Sequence, residues 1–387
     1  MARKLWAKRG LAALATGAMA VSLAACGGSG AGAGGGDAAG DGEEGGLVGV
    51  AMPTETSERW IADGAAVEEG LEDAGYTVDL QFAGDEIPTQ QQQIDAMISA
   101  GAKALIVAAI DGTTLTGQLE AAAAEGIPVI SYDRLIRDSE DVDFYVSFDN
   151  FEVGVAQANA LLNGLGLVDE NGEPVEDAPE GPFNVELFAG SLDDNNAHFF
   201  WDGAMSVLEP LIEDGTLVVP SGQTDIGKAA TLRWLQENAQ KRMENLLTAH
   251  YDGNEKVDGV LSPYDGLSRG IIEALRSDGY KDDTMPVITG QDAEIASVKL
   301  IADGVQNSTI FKDTRLLADQ AVAAAEDLLA GEEPEANNTE DYDNGEKIVP
   351  SYLLPVSTIY ADNIQSELVD SGYWSAEEVE SGVVEDE

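Results

Sequence analysis

The chain has 387 residues, of which 72 are acidic and 20 are basic, so its formal net charge is −52 at pH 7. Nucleic acid and anionic membrane surfaces are poor partners for such a chain, because like charges repel. With a single cysteine it cannot form an internal disulfide, so the fold depends on its hydrophobic core, and the length suffices for two domains.

The first 25 residues are predicted to be an export signal. Several basic residues precede an apolar run over 11–25, which is too short to span a membrane. The run ends in Leu-Ala-Ala directly before Cys26, a pattern that resembles the lipobox of bacterial lipoproteins, in which the thiol receives a diacylglycerol. An ordinary secretory signal with an incidental cysteine is the alternative, disfavoured because a lone thiol in an exported protein needs a use.

Residues 26–46 are predicted to be a lipidated cysteine followed by a flexible tether. The stretch is nearly all Gly, Ala, Asp and Glu and cannot build a core. A random coil of this length has a mean end-to-end reach of roughly 25 Å. We therefore expect a globular body from residue 47 onward, held by lipid on the outer face of the cytoplasmic membrane.

Apolar runs alternate with amphipathic stretches in the first half of the body. Strands are predicted over 47–52, 78–82, 104–110 and 128–132, with helices over 57–74, 88–100 and 113–125 between them. A further strand over 143–148, predicted to lie at a sheet edge, and a helix over 151–165 follow. Strands that are apolar throughout and separated by helices predict a parallel sheet covered on both faces.

The same alternation returns in the second half, which predicts a second α/β sheet. Its predicted strands cover 183–189, 258–262 and 285–289, and its predicted helices cover 197–213, 232–249, 267–277 and 293–302. The segment 168–182 is rich in Pro, Gly, Asp and Glu and is predicted to be an exposed loop.

Polar residues recur where the predicted strands end. In open α/β sheets ligands bind beyond these carboxyl ends, and here the ends offer Asp, Asn, Gln and Arg side by side. Alternating carboxylates, amides and guanidinium groups suit a ligand dense in hydroxyls, since each hydroxyl donates and accepts. Trp60 and Trp234 are candidates to pack on the apolar faces of a pyranose ring. The alternatives are helix caps for residues such as Asp149 and Asp193, and core packing for the tryptophans.

Several segments resemble the periplasmic sugar-binding proteins of ABC importers. They are AMPTETSERWIADG (51–64), IDGTT (110–114), YDRLIR (132–137), DDNN (193–196), LSPYDG (261–266), GQDA (290–293) and STIFKDT (308–314). The similarity runs from about residue 47 to the C-terminus and is greatest to the multiple-monosaccharide receptors of the xylose/glucose/galactose branch.

The resemblance implies the type I periplasmic binding protein fold: α/β, with two Rossmann-like lobes of parallel sheets joined by a three-segment hinge. It implies a first lobe of 47–149 plus about 313–347 and a second of 150–312 plus about 348–387. It also implies a set of sugar-binding residues, with the choice between the two asparagines left open: Arg59, Trp60, Asp111, Asp133, Arg134, Asn195 or Asn196, Trp234, Asp265, Gln291, Asp292 and Lys312.

The function implied by the resemblance is capture of a monosaccharide such as xylose, glucose or galactose, and its delivery to the permease subunits of an ABC importer. As a binding protein, the chain is expected to perform no catalysis and to need no cofactor. No metal is expected either, because the two histidines, His198 and His250, lack ligand spacing. A sugar-sensing ectodomain shares the fold and site. A sugar-active enzyme is a weaker alternative, since the many carboxylates permit the pair that a glycosidase needs.

Overall fold

The computed structural model describes residues 45–251 and 255–384. The predicted signal, Cys26 and most of the predicted tether lie outside these residues. No helix within the described ranges has the length and apolar character needed to cross a membrane.

The strands alternate with helices along most of the described chain. In chain order they are β1 (Leu47–Met52), β2 (Thr77–Phe82), β3 (Ala104–Val107), β4 (Val129–Tyr132), β5 (Phe144–Phe148), β6 (Phe183–Leu187), β7 (Leu217–Val218), β8 (Gly259–Leu261), β9 (Val287–Ile288), β10 (Thr309–Phe311), β11 (Ser351–Leu354) and β12 (Ser357–Ile359).

The helices are α1 (Glu58–Asp73), α2 (Ile87–Ala100), α3 (Thr116–Ala124), α4 (Asn150–Gly164), α5 (Asn195–Glu213), α6 (Ile226–Ala229), α7 (Gln236–His250), α8 (Asp265–Asp278), α9 (Ile295–Ala302), α10 (Thr314–Ala330) and α11 (Ala376–Ser381). Their ends follow local rules. For example, α2 has a proline in its first turn and ends at Gly101, whose φ of 86° is left-handed.

The first lobe is built on a six-stranded parallel sheet in the order β11-β5-β4-β3-β1-β2. Its central strands are apolar and fully buried, because α1 and α10 cover one face and α2 and α3 cover the other. The predicted parallel sheet with two covered faces is confirmed.

The second lobe is built on a four-stranded parallel sheet in the order β7-β6-β8-β9. Helices α4 and α5 pack on one face and α7 and α8 pack on the other. The antiparallel pair β10 and β12 adjoins this lobe, since Gln291 forms an isolated parallel bridge to Ile310. The predicted second α/β sheet is therefore confirmed.

Two sequence predictions about the first sheet are wrong. Strand β11 pairs in parallel with β5, with Ser351 opposite Tyr145, so the first lobe continues to Leu354 and does not end at 347. For the same reason β5 lies inside the sheet and is not an edge strand. The chain thus passes between the sheets near Asp149, near Lys312 and after Leu354.

The helix predicted over 232–249 is interrupted. A short 3₁₀ turn at Leu232–Trp234 precedes α7, because Arg233 and Trp234 adopt left-handed φ values of 58° and 55°. Non-glycine residues rarely adopt this conformation, and it often marks a functional segment.

Candidate functional site

A cavity of about 200 Å³ lies between the two lobes, at the carboxyl ends of the strands. Both lobes contribute to its lining. Nine of the twelve predicted site residues line it: Arg59, Trp60, Asp133, Arg134, Asn196, Trp234, Gln291, Asp292 and Lys312.

The floor of the cavity is a buried network of charges from both lobes. Arg59 pairs with Asp63 at 2.8 Å and with Asp133 at 3.0 Å, and it lies 3.7 Å from Asp292. Lys312 Nζ lies 2.9 Å from Asp292 Oδ1, which is also the Asp292 oxygen nearest to Arg59. Charge-assisted contacts of this length hold side chains in fixed positions, so the floor is pre-organised.

Burial and pairing set the ionisation of this network. Burial acts to raise the pKa of Asp133, but Arg59 and then Lys312 outweigh it and lower that pKa below its ordinary value. Burial raises the pKa of Asp63 to about 6, although Arg59 opposes the shift. Burial acts to lower the pKa of Arg59, but the carboxylates around it, Asp133 foremost, raise it. Asp133 is therefore a charged acceptor at neutral pH.

Asp133 is held in the cavity by a tight turn at the end of β4. Its φ of 58° is left-handed, and the amide of Arg134 donates to the carbonyl of Tyr132 at 2.6 Å across it. Its own carbonyl oxygen accepts three hydrogen bonds of 2.7–2.9 Å, from Tyr145, Ser147 and Asn196. These contacts offset the strain of the turn and fix the aspartate where the sheet ends.

Trp234 reaches the cavity from the second lobe. Its indole Nε1 donates to Asp194 at 3.2 Å, and its ring meets Phe200 and Tyr264 edge to face. A Cβ atom at Gly190 would lie 2.0 Å from the ring, so only glycine allows this approach. The indole is thus held by the second lobe.

Trp60 approaches the cavity from the first lobe. It is 4% exposed and packs in the first-lobe core, as the core interpretation predicts, yet it also lines the cavity. The guanidinium carbons of Arg59 and Arg134 lie 4.4 and 5.0 Å from its ring centroid. That Trp60 and Trp234 hold opposite faces of a sugar stays a prediction.

Three predicted site residues lie outside the cavity lining. The Asp111 carboxylate instead accepts from the amide and hydroxyl of Thr113, as the turn interpretation of such residues predicts. Asn195 accepts from Arg137, so Asn196 is the asparagine of the pair that lines the cavity.

Asp265 is the third of these residues. It is fully buried behind the lining, and its carboxylate accepts from Gln306, Thr309 and the amide of Glu294. Burial and the nearby Glu294 raise its pKa well above the ordinary value. Asp265 therefore supports the second-lobe side of the cavity from behind, while Tyr264 and Gly266, its neighbours in the chain, line the cavity.

Several lining residues were not predicted. They are Thr54, Thr56, Ser57, Asp85, Asp194, Phe200, Arg233, Leu235, Gln236, Tyr264, Gly266 and Arg269. The signal for Asp85 was available, because it follows the end of β2 as Asp133 follows β4. The signal for Phe200 was weak, since an apolar residue in α5 is typical of a helix core face.

Comparison with known proteins identifies the family. The sequence family described as periplasmic binding protein domain matches residues 48–333. The chain is 52% identical over 336 residues to the multiple sugar-binding periplasmic receptor ChvE of Rhizobium radiobacter, covering 86% of this chain and 92% of that protein. It is 37% identical to the D-xylose-binding periplasmic protein of Escherichia coli, with coverage of 86% and 92%.

A solved structure agrees with these sequence relatives. An ABC transporter solute-binding protein from Clostridium phytofermentans, with bound β-D-glucose, superposes with a TM-score of 0.81 at 44% identity and covers 86% of this chain and 99% of that one. The resemblance and the fold class inferred from the sequence are thereby confirmed. The chain belongs to the periplasmic binding protein family.

Proposed function

We propose that this chain is an extracytoplasmic receptor that captures a monosaccharide in the cleft between its lobes and delivers it to the permease of an ABC importer. The observation that carries the proposal is the cavity lining, which combines fixed carboxylates, guanidinium groups, an ammonium group and two indoles drawn from both lobes. Relatives whose names state binding of sugar, xylose or glucose support this ligand class.

The charge of the lining favours a neutral ligand. Five basic and four acidic side chains line the cavity, and many of them are paired with one another. Sugar hydroxyls can accept from Arg59 or Lys312 and donate to Asp133 or Asp292 without a change in net charge. An anionic ligand would favour a clear excess of basic groups, which this lining lacks.

The mechanism that we propose is hinge closure. The chain passes between the lobes three times, so the first lobe would comprise 47–149 and 313–354, and the second 150–312 and 355 onward. A sugar that contacts both lobes binds the closed state more strongly than the open one and shifts the equilibrium toward closure. We infer that the chain acts as a receptor and returns the sugar chemically unchanged.

The location that we propose is the outer face of the cytoplasmic membrane. The segment 1–25 would direct export, and a lipid on Cys26 would anchor the body through the Gly-rich tether. The membrane contact would then be the lipid alone, since the strongly acidic chain has little attraction for anionic lipid surfaces.

Calorimetric titration of the purified protein with xylose, glucose, galactose and arabinose tests this function. We expect saturable binding of at least one of these sugars and recovery of unchanged sugar by chromatography. Arg134→Ala should weaken binding about tenfold or more, because it leaves buried acceptors unpaired. Arg276→Ala is the matched control, since Arg276 pairs with Glu273 and Asp282 away from the cavity. Absence of binding across the panel, or turnover of a glycoside, would refute the proposal.

A further inference from the structure

The N-termini of two helices, one from each lobe, meet beside the cavity. The hydroxyl of Ser57, the N-cap residue of α1, donates to Glu294 Oε1 at 2.9 Å. In the opposite direction, the amide of Ile295, the first residue of α9, donates to Glu58 Oε2 at 3.3 Å. Each helix start therefore contacts an acidic side chain from the other lobe, where its partial positive charge favours an anion.

Neither N-cap residue caps its own helix. The side chains of Ser57 and Glu294 form no hydrogen bond with the first turn of α1 or of α9, respectively. Ser is among the residues that most often form such a capping hydrogen bond. Because Ser57 does not form one, its hydroxyl is available to the other lobe. The two contacts are reciprocal, and they can form only when the lobes are together.

The second-lobe half of this arrangement is fixed within its own lobe. Glu294 is 2% exposed, and its carboxylate accepts from Tyr264 at 2.6 Å and from Arg269 at 2.5 Å. Its amide donates to Asp265 at 3.0 Å. The acceptor for Ser57 is thus held in position whether or not the first lobe is present.

We propose that Ser57 and Glu58 are positioning residues for sugar capture, which form a latch with Glu294 and the start of α9 and so hold the lobes closed. Glu58 and Glu294 do not line the cavity, and the hydroxyl of Ser57, which does line it, is engaged with Glu294. The latch therefore strengthens binding of every accepted sugar by the same factor. Its removal raises the rate of sugar release and leaves the ranking of sugars unchanged. The inference rests on the proposed function, because it concerns closure around a sugar.

Binding and release of the panel sugars by Ser57→Ala and Glu58→Ala test the latch. Each variant should weaken binding of all accepted sugars by a common factor of roughly five- to tenfold, the effect of one lost hydrogen bond, mainly through faster dissociation in stopped-flow fluorescence. Glu58→Gln should restore most of the affinity, because its amide oxygen can still accept from Ile295. Glu55→Ala is the control, since Glu55 is an exposed acid of the same loop outside the cavity lining.

The outcomes separate the latch from the proposed function. If the wild-type protein binds none of the sugars, the proposed function fails. If it binds and both alanine variants keep its affinity and dissociation rate while remaining folded by circular dichroism, the latch is refuted. Losses that differ strongly between sugars would also refute it, because they would mean that Ser57 or Glu58 contacts the sugar directly.

Discussion

The indole of Trp234 and the guanidinium of Arg134 share one oxygen of Asp194. Trp234 Nε1 lies 3.2 Å from Asp194 Oδ2, and Arg134 Nε lies 3.2 Å from the same atom. The carboxylate is 5% exposed, and burial raises its pKa although Arg134 opposes the shift. The Asp194 carboxylate therefore orients the Trp234 ring within the second lobe and at the same time pairs with Arg134 of the first lobe.

Asp194→Asn should weaken binding of all accepted sugars about tenfold and change thermal stability little. The substitution keeps an N-cap for α5, because Asn and Asp are comparable caps, but it removes the charge that pairs with Arg134. Titration calorimetry and a melting curve measure the two effects. Asp225→Asn, at the exposed N-cap of α6, is the control and should bind normally. Unchanged affinity of Asp194→Asn would show that this link does not contribute to capture.

Gly190→Ala should impair binding through Trp234 alone. The added Cβ would lie 2.0 Å from the indole, so the ring must move. Gly190 is not among the glycines with positive φ, so its backbone accommodates alanine. We expect weaker sugar binding and a shifted tryptophan emission. Gly117→Ala is the control, since a Cβ there meets nothing within 4 Å and alanine favours the helix. If Gly190→Ala bound sugar like the wild type, the ring position would not matter.

The strand pattern was readable from sequence because parallel strands are buried on both faces. The apolar run at 47–52 coincides with β1, and the polar residues after such runs meet at one sheet edge. That rule brought Arg59, Asp133 and Asp292 together although they lie far apart in the chain.

Other features had no local signal. Strand β11 has only four residues, two buried and two half-buried, and it follows a long loop, so its length does not mark it. The left-handed break at Arg233 and Trp234 contains no Gly or Pro. Whether Asp265 or Tyr264 faces the cavity depends on side-chain direction at the start of α8, which periodicity does not fix.

Sugar affinity should rise as the pH falls through the raised pKa of Glu58 toward the ordinary value of this carboxyl, 4.5. Burial, and then repulsion from Glu294, raise this pKa above its ordinary value of 4.5 in the closed protein. Glu378 acts in the same direction, whereas the Ile295 amide and Arg269 lower the pKa. Glu294 belongs to the other lobe, so opening would remove its contribution and lower the pKa of Glu58. Closure would therefore take up protons, and lower pH would favour it.

Glu58→Gln separates this effect from the titration of other groups. The variant should lose the part of the pH dependence that Glu58 contributes, so its affinity should change less between neutral and mildly acidic pH than that of the wild type. Calorimetric titrations of both proteins across this range measure the difference. Parallel pH profiles for the two proteins would contradict the assignment to Glu58.

Cys26→Ser should release the protein from the membrane fraction or leave its signal uncleaved. The prediction follows from the position of the sole cysteine directly after Leu-Ala-Ala. Cell fractionation with mass analysis of the N-terminus measures both outcomes. Wild-type protein found in the medium with an unmodified N-terminus would contradict the anchor, without bearing on sugar binding.

Replacing either cavity tryptophan by alanine should weaken sugar binding, but the two replacements should differ in how much they lower the free energy of unfolding. Trp60 packs in the first-lobe core among residues such as Val67 and Leu71, so Trp60→Ala should lower the free energy of unfolding by about 3–5 kcal/mol as well as weaken binding. Trp234 is partly exposed and lines the cavity from the second lobe. Trp234→Ala should therefore reduce affinity with a smaller loss of stability.

The ranking of sugars tells whether Trp234 stacks on the ring. Stacking uses the C–H face of a pyranose and is indifferent to which hydroxyl is axial, so Trp234→Ala should weaken all accepted sugars together. Trp234→Phe should recover part of the affinity, because it keeps an aromatic face but loses the hydrogen bond to Asp194. Urea unfolding and titration of each variant against the panel provide both measurements. Unchanged affinity of Trp234→Ala would mean that its ring serves the second-lobe wall and not the ligand.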